Sequence, residues 1–334
     1  MNKRNWQLYI GGSLVILFVL LAIVGPFIAP HTPDDRLNVE YIETDEGAKV
    51  IAPPLKPFEV KSYLLGTTMW GADLLSLILY GLRFTLFISL IVAILRMILG
   101  SIIGMYVGVL KKQPFMLVSF ERSFSYFPQI LIVFFLLAPV SLIPEGKPNV
   151  LTLTIYFIII STIVGMPSII SSIRQKSKEI YKKQYIESAK ILGASKHRIV
   201  WKHIFPQLKE SIMIAVLLEV VYTITLMGQL AIFNVFVGGT IIQFDPLIFL
   251  STTNEIAGLV GQARGHIFGY QYVLFVLLFT LLMLTVSFSL LANGLKNRFA
   301  TMYKKHSWIQ QSNQMIHFHQ LKKITSNVKK RKVI

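Results

Sequence analysis

The stretch Phe84-Thr-Leu-Phe-Ile-Ser-Leu-Ile-Val-Ala-Ile-Leu-Arg96-Met-Ile-Leu-Gly-Ser-Ile-Ile-Gly-Met-Tyr-Val-Gly-Val109 carries one charge, Arg96. About 20 mostly apolar residues cross a ~30 Å hydrocarbon core, so this stretch reads as a spanning helix. Five other runs read the same way: Tyr9–Ala29, Phe127–Ile143, Val150–Ser172, Ile212–Phe236 and Tyr270–Ala292. The third span in chain order, Phe127–Ile143, is the shortest and carries Pro128 and Pro139. The expectation is an all-α, polytopic membrane protein with six transmembrane helices. Composition agrees, because 54% of the 334 residues are hydrophobic and only 15% charged, against roughly 25% charged in soluble domains. The first run is longer than a signal-peptide core and no A-x-A site follows it. It is expected to remain as the first span.

The charges set the orientation. Lys and Arg outnumber Asp and Glu by 33 to 16. Residues 30–83 hold the acidic side chains Asp34, Asp35, Glu40, Glu43, Asp45, Glu46, Glu59 and Asp73. Lys111 and Lys112 follow the second span. Residues 174–210 hold ten Lys/Arg against three Glu, and 294–334 hold ten Lys/Arg and no acid. With the N-terminus inside, every basic segment falls on one side, as the positive-inside rule requires. Both termini are therefore expected in the cytoplasm, with the basic tail facing membrane lipid rather than nucleic acid. The expected organisation is a cytoplasmic N-terminus and first span (1–29), an extracellular loop (30–83), a core (84–300) and a basic tail (301–334). Residues 30–65 read as irregular, and the glycine-rich 237–269 as a re-entrant or loosely structured cap.

Between the fourth and fifth spans, residues 174–210 form more than a linker. Ile180, Ile186, Ala189 and Leu192 recur at helical spacing, and Gly193 suits a helix C-terminus that needs positive φ. Ser195 can cap a second helix, whose apolar side is Ile199, Val200 and Ile204, with Pro206 as its end. A helix–Gly–helix element of this kind presents a compact knob.

Glu187-Ser188-Ala189-x3-Gly193, followed by Ile204-Phe205-Pro206, resembles the EAA loop of ABC importer permeases. The longer string from Tyr185 to Ser195, with Ala194 inside it, is similar to the oligopeptide/dipeptide/nickel branch. Leu65-Gly66-Thr67, Gly71, Asp73, Leu75-Ser76, Tyr80-Gly81-x-Arg83 and Gly25-Pro26-Phe27-Ile28-Ala29-Pro30 also resemble that branch, and Gly165-x-Pro167 and Asn293-Gly294-Leu295-Lys296 match weakly. The large loop after span one is similar to the second of its two permease subunits. Thr68, Met69, Ala72, Ala231–Phe236 and Asn293 depart from the pattern, mainly on the outer and pore side.

The resemblance implies a type I ABC importer permease fold in a bacterial cell membrane. It implies as partners a second permease subunit, two ATPase subunits and an extracellular solute-binding protein. Glu187, Ser188, Ala189, Gly193, Ala194 and Pro206 would form the part that docks on the ATPase. No G-x-x-x-x-G-K-[ST] phosphate loop occurs, so the chain is expected to hold no cofactor, with ATP and Mg on the ATPase subunits, and to be no enzyme itself. The absence of cysteine excludes thiolate metal sites and disulfides. Charges inside spans are costly, so Arg96 and Glu219 are expected to pair, or to line a translocation pathway with Gln229 and Asn234. The expected cargo is an oligopeptide, and the alternative is nickel or a metal chelate. An ATP-independent secondary transporter and a membrane scaffold are the readings from other classes.

Overall fold

The computed structural model describes residues 5–44, 47–110, 114–143, 149–245 and 247–305. Lys111, Lys112, Asp45, Glu46 and the tail from residue 306 lie outside the described residues.

Among the described residues, five helical stretches are long and apolar enough to cross a membrane. They are α1 (Trp6–Ile28), α2 (Leu74–Gly108), α5 (Val150–Tyr181), the stretch Lys196–Ile232 and α10 (Gln271–Lys305). Lys196–Ile232 comprises α7 (Lys196–Ile199), a π-helical turn (Val200–Ile204) and α8 (Phe205–Ile232). The expected third span is α4 (Gln129–Ser141), preceded by α3 (Phe115–Tyr126). Thirteen residues rise about 20 Å, so α4 is the short sixth. Proline at its N-cap, Pro128, marks the break from α3.

α2 starts ahead of the apolar run that announces it. The Asp73 carboxylate accepts from the amides of Leu75 and Ser76 at 3.3 and 3.0 Å, a helix N-cap. α2 then packs along α5 through Gly100, Gly104 and Gly108. A Cβ at Gly104 would come within 2.9 Å of Ile173, so the glycine row sets how closely the two helices approach.

One end of the bundle carries the start of α1, the ends of α2 and α5, α7 and the last turns of α10. It is called the basic end here. There Met105, Ile173, Ile180, Ile186, Val200 and Ile204 share one buried cluster. The opposite, loop end is more ordered than its sequence promises. Residues 40–51 contain an antiparallel hairpin, β1 (Glu40–Thr44) with β2 (Gly47–Ile51). Residues 237–269 are ordered rather than loose. They form a hairpin of β4 (Thr240–Phe244) and β5 (Leu247–Ser251), with β3 (Leu142–Ile143) parallel to β4. Helix α9 (Ile256–Ala263) follows, with Ile256 and Ala257 fully buried.

Glu255 fastens this cap. Its buried carboxylate accepts from the Val237 amide at 3.0 Å and contacts the hydroxyls of Ser251 and Thr253. Burial pushes this carboxyl above the usual carboxylate range, against those hydrogen bonds. The Thr253 hydroxyl also lies 2.8 Å from the Val237 carbonyl. One hydroxyl proton cannot serve both acceptors, and a protonated Glu255 satisfies both contacts.

Candidate functional site

The knob at the basic end begins with α6 (Gln184–Ile191). The Gly193 amide donates to the Lys190 carbonyl and the Ala194 amide to the Ala189 carbonyl, each at 2.9 Å. Gly193 has φ +80°. This pair of bonds around a left-handed residue is a Schellman motif. The spacing Ala189-x3-Gly193 is the spacing of that motif, Ala189 giving the carbonyl and Gly193 the left-handed turn. The Ser188 hydroxyl donates back to the Gln184 carbonyl at 3.3 Å, and Glu187 is exposed. Ser195 then accepts from the Arg198 amide at 3.3 Å and starts α7.

Two expectations change here. Leu192 does not continue the inward row of Ile180 and Ile186. The turn ends α6 at Ile191 and leaves Ile191 and Leu192 86% and 87% exposed, beside a Gly193 whose Cβ position has nothing within 4 Å. Pro206 does not end the second helix; it sits in the first turn of α8. The π turn before it is closed by the Phe205 amide donating to the Val200 carbonyl. That wider turn carries the axis through a residue that has no N–H to give.

Below the tip, the knob is fastened to the spans. The Trp201 indole donates to the Tyr106 hydroxyl at 3.0 Å, and that hydroxyl lies 2.6 Å from His197 Nδ1. Lys183 donates to the Gln207 side-chain oxygen Oε1 at 3.1 Å, and Gln207 Nε2 donates to the Tyr185 hydroxyl. The sequence marks none of these partners, because α2 meets α7 only in the folded bundle.

The second site lies inside the bundle. Arg96 on α2 is 1% exposed. Its Nη1 pairs with Glu219 Oε2 on α8 at 3.1 Å, while Nε and Nη2 both donate to the Ser161 carbonyl of α5, at 2.9 and 2.6 Å. One guanidinium thus ties three helices. Gly165 makes room for it, since a Cβ there would fall 2.4 Å from Arg96 Cζ. A groove of about 480 Å³ opens beside the pair, lined by Gln129, Ser172, Lys176, Ser211, Glu219 and Tyr222 among others. Gln229 and Asn234 do not join it. Gln229 is exposed two to three turns further along α8. Asn234 lies past the helix end at φ +58°, where its side-chain oxygen accepts from Arg264 at 2.9 Å. A separate cavity of about 490 Å³ sits at the loop end, against Trp70, Gln262 and Tyr270.

Among the described residues, five long apolar helices, a groove between α2, α4, α5 and α8, and a knob raised at one end make up a multi-pass helical membrane protein. The chain belongs to the family described as binding-protein-dependent transport system inner membrane component, which matches residues 96–300. The N-terminal TM domain of oligopeptide transport permease C matches residues 3–54. Among curated relatives, the chain is similar to the dipeptide transport system permease protein DppC of Haemophilus influenzae, 24% identical over 88% of this chain and 90% of that one. It is also similar to the glutathione transport system permease protein GsiD of Escherichia coli, 24% identical over 88% of this chain and 86% of the relative. DppC of Alkalihalophilus pseudofirmus is 24% identical over 61% of this chain and 60% of its own length. The chain is thus a permease subunit of an ABC transport system.

Proposed function

We propose that this chain is one of two permease subunits of an ATP-driven peptide importer in a bacterial cell membrane. It forms half of the translocation pathway and docks on a separate ATPase through Glu187–Gly193. The observation that carries this reading is the knob itself. Two large apolar side chains, Ile191 and Leu192, stand almost fully exposed on a turn whose base, at Ile186, is fully buried. Such a tip on a rigid base is suited to insertion into a partner's cleft. Closure of an ATPase dimer would move α6, α7 and the π turn as one body, and the shared buried cluster would pass that motion to α2, α5 and α8.

ATP and Mg are assigned to the ATPase subunits. The basic end faces the cytoplasm, which puts both termini there, and a solute-binding protein delivers cargo to the loop end. The positive-inside bias supports this orientation. Peptide is preferred to nickel as cargo because the similar permeases named above are those of dipeptide and glutathione systems. Among the described residues no group of three or more His, Cys, Asp or Glu could hold a metal ion. Arg96 and Glu219 are assigned to the wall of the pathway.

The test is affinity purification from native membranes of wild type beside Gly193→Arg. The expected result is a second permease and an ATPase with wild type, and loss of the ATPase alone with the variant. Full retention of the ATPase by Gly193→Arg contradicts the docking role.

A further inference from the structure

The groove beside Arg96 and Glu219 has opposite charges at its two ends. Arg96 lines this end of the groove too, with Nε and Nη2 on the Ser161 carbonyl and Nη1 on Glu219 Oε2, so a ligand there meets the pair, with Glu219 Oε1 as the oxygen Arg96 does not engage. Only one Glu219 oxygen is engaged by Arg96, and the side chain is 13% exposed. At the other end Lys176 is exposed. Among the described residues no acidic side chain pairs with it. Between the two, the wall mixes the hydroxyls of Ser172 on α5 and Ser211 on α8 with the apolar side chains of Ile169, Ile173 and Ala215.

The separation of the two charges selects a ligand length. Gly165 lies against the Arg96 guanidinium and marks the level of Glu219. Lys176 stands three turns further along α5, about 16 Å by helical rise. Its stem leans back toward the helix N-terminus, which shortens the gap to roughly three extended residues at ~3.3–3.6 Å each. The groove volume of about 480 Å³ falls within the usual range for small-ligand sites, ~300–1,000 Å³.

We propose that this groove is a cargo subsite for short zwitterionic peptides, the α-ammonium at Glu219 and the α-carboxylate at Lys176. The inference rests on the peptide-importer reading and adds to it a recognition of both free termini by the permease itself.

The test uses the whole transporter complex in nanodiscs without its solute-binding protein, so the selectivity read belongs to the membrane part. Binding of tri-alanine, N-acetyl-tri-alanine and tri-alanine amide is measured for wild type, Glu219→Gln and Lys176→Gln. Wild type is expected to bind tri-alanine about tenfold more tightly than either blocked form, the worth of one charge-assisted hydrogen bond. Glu219→Gln should erase the penalty for acetylation and keep that for amidation, and Lys176→Gln the reverse. Lys176 is exposed, so its variant keeps the test open should Glu219→Gln fail to fold. Variants that retain the wild-type ratios, or weaken all three ligands equally, overturn the subsite alone. A wild-type complex that binds none of the three, and imports none when its binding protein is added, overturns the peptide reading with it.

Discussion

At the scale of single residues, the two positions that most shape this chain are a glycine and a carboxylate. Gly193 is demanded by φ alone, because its Cβ position is open and a side chain in the left-handed region costs about 1–2 kcal/mol. Glu255 is demanded by its neighbours, an amide and two buried hydroxyls. Its raised folded-state pKa fixes a sign. The stability it contributes is fully present below the unfolded-state value of about 4.3 and is lost as pH rises through the folded value. Glu255→Gln keeps an acceptor for Val237 and cannot ionise. The purified variant should therefore lose less thermal stability than wild type when pH is raised from the acid side. Parallel melting curves for the two proteins across that range contradict a protonated Glu255.

At the scale of elements, α2, α5 and α8 are held by one guanidinium, and the arithmetic of buried ion pairs applies. Removing one partner of such a pair costs ~3–5 kcal/mol, whereas removing both for apolar groups is often nearly neutral. Arg96→Leu is thus expected to reduce the amount of assembled protein sharply, and Arg96→Leu with Glu219→Leu to recover much of it, read as yield of monodisperse protein in detergent. A double variant as poor as the single one contradicts the coupling. The pair was legible in the sequence, because two charges within apolar runs have few solutions. Ser161 was not, since its contribution is a backbone carbonyl. Gly165 was legible only as part of a motif, and its steric role arises only where α5 meets Arg96 in the folded bundle. The apolar spans were read correctly where length alone decides. The early start of α2 and the break at Pro128 follow from capping and proline chemistry, whose signals at Asp73 and Pro128 are single residues. The cap over 237–269 was legible as a cap but its order was not, because that order comes from Glu255 gathering partners up to eighteen residues away in sequence, which no local pattern records.

At the scale of the whole molecule, the permease has an exposed apolar tip at one end, a folded cap at the other and a groove between them. The tip was legible as a motif. Its apolar character was not, because helical periodicity placed Leu192 on the inward face. The central claim is that this tip seats in an ATPase subunit, and the chain's lack of cysteine allows a direct measurement. Leu192→Cys places a single thiol at the tip, and Phe268→Cys places one at the opposite end, where Phe268 is 99% exposed. Each is labelled with a photo-crosslinker in the assembled complex and the adducts are identified. The account predicts an adduct between position 192 and an ATPase subunit, and none with that subunit from position 268. An ATPase adduct from position 268, or none from position 192 in an intact complex, would contradict it.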